Sequence, residues 1–234
     1  MSSQHERPSE QEIGEWARRF ESSDVEELLS WAVERFAPNL VMTSNFGASG
    51  IVILDHLARL APQLPVIYLD TGYQFPETDL LKEQLRARYG LNLIEQRADL
   101  SVVEQNRVYG ERLYERDPDR CCHLRKVEPL RRALSGAAAW IAALRRDQSS
   151  SRAEIAKVEW NAKHSLIKIN PLATWTRSDV WNYILRHQLP YNPLHDDGYA
   201  SIGCQPCTRR VAPGAHERSG RWVGQQKVEC GIHL

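Results

Sequence analysis

Residues 39–78 read NLVMTSNFGASGIVILDHLARLAPQLPVIYLDTGYQFPET. A short apolar run, NLVMTS (39–44), passes through a small-residue turn, SNFGASG (44–50), into an apolar helical stretch, IVILDHLARLA (51–61). The same unit then starts again. LPVIYLD (64–70) has strand character, TGYQFPET (71–78) is a turn, and DLLKEQLRARYG (79–90) is a helix that Gly90 closes as its C-cap. LNLIEQ (91–96) supplies a third strand. AAAWIAAL (137–144) supplies a fourth, although its alanines also permit helix. Strands that alternate with helices predict an α/β fold, a doubly wound and mostly parallel sheet with helices on both faces.

On the N-terminal side, residues 1–10 form a polar leader. Ser9–Glu12 and Ser23–Glu26 have capping-box spacing and open helices over 10–20 and 24–36, with Trp16, Phe20, Leu28, Leu29 and Trp31 facing inward. On the C-terminal side, AEIAKVEWNAKHSLIKINPL (153–172) predicts a hairpin at the sheet edge. TRSDVWNYILRHQLP (176–190) predicts a helix with an apolar stripe of Val180, Trp181, Ile184 and Leu185, stopped by Pro190. Beyond residue 190 periodicity disappears, and scattered glycines and prolines predict ordered loops followed by an irregular, mobile tail. The organisation expected is therefore N-terminal helices (1–38), a nucleotide-binding α/β domain (39–200) and a C-terminal segment (201–234).

A chain of 234 residues can bury about 70% of its unfolded surface and needs no disulfide staples. Its formal net charge is zero, which argues against nucleic-acid binding through bulk charge. The charge is nonetheless unevenly placed. Residues 1–30 hold eight Asp/Glu against three Arg, whereas residues 203–234 hold five Lys/Arg against two Glu. A basic tail predicts an anionic substrate or an acidic partner. No apolar run has signal-peptide or membrane-spanning character, so a cytoplasmic protein with reduced thiols is expected. In that setting paired cysteines serve metals or catalysis more often than disulfides.

Four of the five cysteines fall in two pairs, Cys121-Cys122 in RCCHLRK (120–126) and Cys204/Cys207 in SIGCQPCTRR (201–210). Four thiolates on one centre are a ligand set for zinc or for an iron–sulfur cluster. Adjacent cysteines are awkward for tetrahedral zinc, and this favours a cluster. Cys230, in KVECGIHL (227–234), is left over as a candidate nucleophile. Lys227, His233, Arg218 and Arg221 are near it in sequence, and cations beside a thiol favour its reactive thiolate form.

Three loops are candidate anion or nucleotide sites. SNFGASG lies between a strand and a helix N-terminus, where backbone N–H groups meet anions, although a plain turn reads the same way. In LDTGYQFPET, Asp70 and Thr71 suit a ribose or base edge, and Pro76 at the first helical position explains part of the sequence without any ligand. In LRRDQSSSR (144–152), Arg145, Arg146 and Arg152 among serines suit phosphate or sulfate; a solvated basic loop is the alternative.

These motifs, in this order, resemble the assimilatory adenylyl-sulfate (APS) and phosphoadenylyl-sulfate (PAPS) reductases. The resemblance covers residues 39 to 234. It rests on SNFGASG, LDTGYQFPET, RCCHLRKVEPL, LRRDQS, the stretch from PLATW to GCQPCTR, ERSGRW and ECGIHL. It implies an adenine-nucleotide α-hydrolase-like fold and reduction of a sulfonucleotide to sulfite with thioredoxin as donor. It also implies a [4Fe–4S] cluster on Cys121, Cys122, Cys204 and Cys207, with Lys126 beside it. Cys230 is the implied nucleophile. Ser44, Phe46, Gly47, Asp70, Thr71, Gly72, Arg146, Arg152, Arg218, Arg221 and His233 are the implied substrate contacts, and the tail is expected to order on substrate. The cluster-bearing branch mostly uses APS, so APS is the expected substrate, with PAPS or both as the alternative. Two departures bear on specificity: Asn45 and Ser49-Gly50 in the first loop, and Ala142-Ala143, where relatives often carry Thr-Gly. Readings from other classes are an ATP-dependent adenylating or sulfur-transfer enzyme and a zinc module that binds a partner. Oligomeric state, homo-oligomers included, is left open by the sequence.

Overall fold

The computed structural model describes residues 7–233, so the first six residues of the expected polar leader lie outside them. Helix α1 (Glu10–Phe20) opens with the expected box: Ser9 accepts from the Glu12 N–H while the Glu12 carboxylate accepts from the Ser9 N–H. Helix α2 (Val25–Phe36) is capped one residue later than expected. Asp24 Oδ1 accepts the Glu27 N–H at 2.8 Å, and the Ser23 hydroxyl donates back to Phe20 O instead.

The repeated unit follows as β1 (Leu40–Thr43), α3 (Ala48–Leu60), β2 (Val66–Asp70), α4 (Pro76–Tyr89) and β3 (Leu93–Arg97). Helix α4 starts at Pro76, earlier than residue 79, because proline at the first helical position loses no hydrogen bond. Gly90 ends it in the left-handed conformation, φ 61°.

Four short helices without a counterpart among the expected elements come next: α5 (Val102–Tyr109), α6 (Leu113–Arg116), α7 (Pro118–Cys122) and α8 (Glu128–Ala133). A single π-helical turn, His123–Val127, joins α7 to α8. Pro129 explains the widened turn. It has no N–H to give to Arg125 O, and the preceding Glu128 N–H reaches back five residues to His123 O.

The chain continues through β4 (Ala139–Ile141), the hairpin β5 (Val158–Asn161) and β6 (Leu166–Ile169), and α9 (Arg177–Arg186). The sheet order is β3-β2-β1-β4-β6-β5. Every pair is parallel except β5 with β6, so β5 is the antiparallel edge strand that the hairpin reading requires. Both faces are covered. One apolar cluster joins α1, α2, α3 and α9 to the sheet through Phe20, Leu28, Ile51, Val180 and Ile184. The other packs Leu130 and Leu134 against Ile67 and Trp140. In α9 the inward stripe is narrower than expected: Val180 and Ile184 are buried, but Leu185 is 63% exposed, one residue too far round the helix.

The feature that positions the site is the reversal of strand order. From β1 the chain builds outward through β2 and β3, then crosses to β1's other side with β4. The loops after β1 and β4 therefore diverge and leave a crevice at the carboxyl ends of the strands.

Candidate functional site

That crevice is a cleft lined by the turn after β1 (Ser44, Gly47, Ser49), the loop after β4 (Arg145, Gln148, Arg152) and the C-terminal segment (Cys204, Arg218, Arg221, Cys230, His233). Thr71 and Lys126 complete it. Ten of the expected site residues thus share one cavity: Ser44, Gly47, Thr71, Lys126, Arg152, Cys204, Arg218, Arg221, Cys230 and His233.

Four expected substrate contacts lie elsewhere. The Phe46 side chain is buried against Tyr68, 5.4 Å between ring centroids. Asp70 accepts from Arg97 Nε and from the Gly72 N–H, which makes it a turn residue. Gly72 has φ 70°, and a Cβ there would come within 2.9 Å of Val102, so both conformation and space require glycine. Arg146 turns outward to Glu21, at 2.6 and 3.0 Å, and to Ile155 O. Arg145 faces the cleft in its place, buried, donating to Ser49 Oγ, Asp147 and Glu217. Arg145 has extended backbone, in which neighbouring side chains point to opposite sides, so only one arginine of the pair can face inward.

The two cysteine pairs converge. Cys121 and Cys122 end α7, while Cys204 precedes and Cys207 ends a 3₁₀ turn (Gln205–Cys207) that docks on the loop after β2, with the Gln205 N–H donating to Tyr73 O at 2.7 Å. Buried Arg125 braces that loop, donating to Thr71 O, Leu100 O and Gln105 Oε1. All four thiols line one small cavity with Tyr73, Lys126 and Trp222. Among the described residues no three His, Cys, Asp or Glu side chains stand in metal-binding array. The donor set still suits a sulfur-ligated cofactor. It is all thiol, and the buried Trp222 Nε1 on the same cavity has no acceptor.

Electrostatics divide the four thiols. Burial pushes Cys121 up to about 12, with the neighbouring thiols adding to it. Burial also pushes Cys122 up to about 11, against the pull of Lys126. Cys204 goes the other way: burial would raise it, but Lys126, a contact with Thr71 Oγ1 at 3.3 Å and Arg221 bring it below its usual value. Burial would discharge Lys126, but Cys204, Cys230 and Cys122 around it hold the ammonium charged.

The tail lies docked across the cleft. Glu229 is buried and pairs with Arg152 and Arg218. Ile232 packs on the Trp140 cluster, and His233 stacks on Trp140 itself. Lys163 and Lys168 donate to Gly231 O and His233 O at 2.7 and 3.4 Å. Glu229, Trp140 and Lys168 were not singled out from sequence; an acidic residue next to the one unpaired cysteine in a basic tail was the available signal.

The sequence model of the phosphoadenosine phosphosulfate reductase domain matches residues 39–210. A phosphoadenosine 5'-phosphosulfate reductase of Gloeobacter violaceus is 50% identical over 93% of this chain and 91% of its own length. An adenosine 5'-phosphosulfate reductase of Salinibacter ruber is 45% identical over 92% and 86%. Among solved structures, a PAPS reductase of Candida auris in complex with phosphate superposes with a TM-score of 0.78 at 33% identity, over 87% of this chain and 98% of that one. An FMN adenylyltransferase of Candida glabrata shares the fold alone, with a TM-score of 0.60 at 17% identity over 88% and 69%. The crevice at the strand-order reversal, with its arginines and cysteines, is thus that of a chain belonging to the phosphoadenosine phosphosulfate reductase family.

Proposed function

We propose that the chain is an adenylyl-sulfate reductase, an oxidoreductase that converts APS to sulfite and AMP with thioredoxin as the thiol donor. The observation that carries this reading is the meeting of Cys230, Lys126, Arg152, Arg218 and Arg221 in one cleft at the strand-order reversal. The nucleotide lies along the turn after β1, and its phosphosulfate end faces the arginines.

Cys230 attacks, as thiolate, the sulfate sulfur of APS. An S–S bond forms, the S–O bond to the phosphate breaks, and AMP departs with the electron pair of that bond. Lys126 and the arginines balance the anionic charge on the anhydride and the departing phosphate. The product on the enzyme is an S-sulfocysteine. A thioredoxin thiolate then attacks Cys230 Sγ, sulfite leaves with the S–S electron pair, and the second thioredoxin thiol releases Cys230 as thioredoxin closes its disulfide. In sum, APS and one dithiol give AMP, sulfite and one disulfide. The four cluster-type cysteines leave no spare thiol in the chain, so the reductant is external.

Cys121, Cys122, Cys204 and Cys207 would hold a [4Fe–4S] cluster, which supplies a charged, redox-capable centre beside Lys126. The reading suits a cytoplasmic enzyme of sulfate assimilation that feeds cysteine biosynthesis. A second substrate, PAPS, is favoured by the names of the Gloeobacter violaceus relative and of the Candida auris structure. Competing rate measurements on APS and PAPS, with sulfite as product, test both: sulfite from neither would refute the reading, and the ratio of kcat/KM values assigns the substrate.

A further inference from the structure

Arg152 and Arg218, which the proposed reaction needs for its substrate, are already engaged by a carboxylate of the chain itself. Arg152 Nε and Nη2 donate to the two oxygens of Glu229, both at 2.8 Å, and Arg218 Nη2 donates to Oε2 at 3.0 Å. Ser149 and Ser151 add hydroxyl contacts to Oε1 at 3.3 Å each. A planar fork, a second guanidinium and two hydroxyls are the donor set that a phosphate or sulfonate oxygen takes. Arg152 Nη1 goes to Gln148, so all three of its nitrogens are occupied. Glu229 is only 6% exposed, so an arriving anion would have to share a buried pocket with a like charge or take its place.

We propose that Glu229 is an internal stand-in for the substrate's oxyanion: it holds the Arg152–Arg218 pair before substrate arrives and leaves it as the sulfonucleotide binds. The proposal rests on the assignment of those two arginines to the phosphosulfate. The tail is built for such an exchange. Ile232 in the apolar cluster, His233 on Trp140, and the carbonyls held by Lys163 and Lys168 anchor it on the C-terminal side of Cys230, while on the N-terminal side Arg218 also donates to Val228 O at 2.9 Å and Lys227 pairs with Asp119. Gly231, with φ 83°, separates the C-terminal anchors from Glu229. The segment before Gly231, which carries Cys230, can then shift on the Gly231 joint while the anchors behind it keep the end of the tail on the fold. Binding of the anion and docking of Glu229 are then mutually exclusive at one pair of guanidiniums, and AMP release lets Glu229 return.

The test uses the full-length chain with Cys230→Ser, so that APS binds without turnover. Adding Glu229→Gln, which removes the charge and keeps the shape, should tighten APS about tenfold, and should tighten AMP, which lacks the sulfonate, less. In the Cys230→Ser protein, APS should speed amide exchange at residues 227–230 and leave 232–233 protected; this second measurement does not depend on the folding of any Glu229 variant. Unchanged or weaker APS binding with Glu229→Gln, or slower exchange at 227–230, overturns the proposal. Arg152→Ala in the same background separates the two readings. If APS affinity is then unchanged, the assignment of the arginines fails and the stand-in with it; if affinity falls while Glu229→Gln brings no gain, only the stand-in fails.

Discussion

The His233 imidazole lies flat on the Trp140 indole, with ring centroids 5.3 Å apart and planes 11° from parallel. Burial pushes His233 well below its usual 6.5, and Arg152, Lys168, Arg218 and His164 around it act in the same direction. The stack therefore takes the neutral ring. A released tail would bind the proton that the docked tail refuses, so docking is fully supported above pH 6.5 and weakens as pH falls below it. Glu229 shifts the balance the same way, but only below its usual 4.5: burial would raise it, and Arg152 and Arg218 hold it lower. Going from about pH 7.5 to about pH 5.5 should loosen the tail about tenfold, read as amide exchange at residues 229–233 after correction for intrinsic rates. His233→Phe keeps a ring for Trp140 and should flatten this dependence; an unchanged slope in that variant would remove His233 from the account.

The convergence of four thiols on one cavity makes a direct prediction about iron. Cys122→Ser should lose iron and sulfite production together, because a hydroxyl would be a poor replacement for one of the four thiolates that would hold a cluster in this buried set. Iron and acid-labile sulfide measured on anaerobically purified protein decide the matter. Full iron content in the variant would sink the assignment of these four residues.

Arg221 and Arg146 provide a matched pair. Arg221 lines the cleft, with its guanidinium 4.5 Å above the Trp222 ring, whereas Arg146 pairs with Glu21 away from it. A charge-assisted hydrogen bond contributes about 1.5–3 kcal/mol, so Arg221→Ala should weaken APS binding roughly ten- to a hundredfold. Arg146→Ala should leave APS affinity unchanged and reduce stability by no more than about 1 kcal/mol, the scale of a partly exposed ion pair. Calorimetric titration with APS checks both, and a loss at Arg146 equal to that at Arg221 would contradict the placement.

Much of this was legible because it is written locally. Strand–turn–helix repeats, the Ser9 cap and the β5–β6 hairpin each depend on a few neighbouring residues, and each forms as its sequence suggests. The motifs also contain ten candidate residues that the structure brings around one cleft. What escaped depends on partners distant in sequence. Arg146 and Arg145 have the same chemistry, and only the position of α1, with Glu21, shows which of them turns inward. Phe46 belongs to a ligand-type motif yet serves the core, because Tyr68 lies beneath it. Glu229 reads as an ordinary acidic residue until the tail is seen to place it 2.8 Å from Arg152, 77 residues away in the chain. The π-helical turn beneath Lys126 follows from Pro129, whose effect on the preceding turn periodicity alone cannot register.

Cys230 offers the sharpest test. It lies half-buried in the cleft near Lys126 and Cys122, one residue from the Glu229 anchor and one from the Gly231 joint. An attacking sulfur needs two positions, inside to meet the sulfonate and outside to meet a protein thiol, and a nucleophile on a docked tail with a glycine behind it can supply both. Cys230→Ser should keep its iron, bind APS and release no sulfite. The native chain incubated with APS alone should gain the mass of one SO₃ group on the peptide containing Cys230, and reduced thioredoxin should remove it with release of sulfite. An adduct on any other residue, or turnover by Cys230→Ser, would transfer the chemistry elsewhere in the cleft. In Glu229→Gln the adduct should still form, since Glu229 takes no part in bond making; failure there with normal APS binding would mean that the carboxylate aims the sulfur as well as holding the arginines.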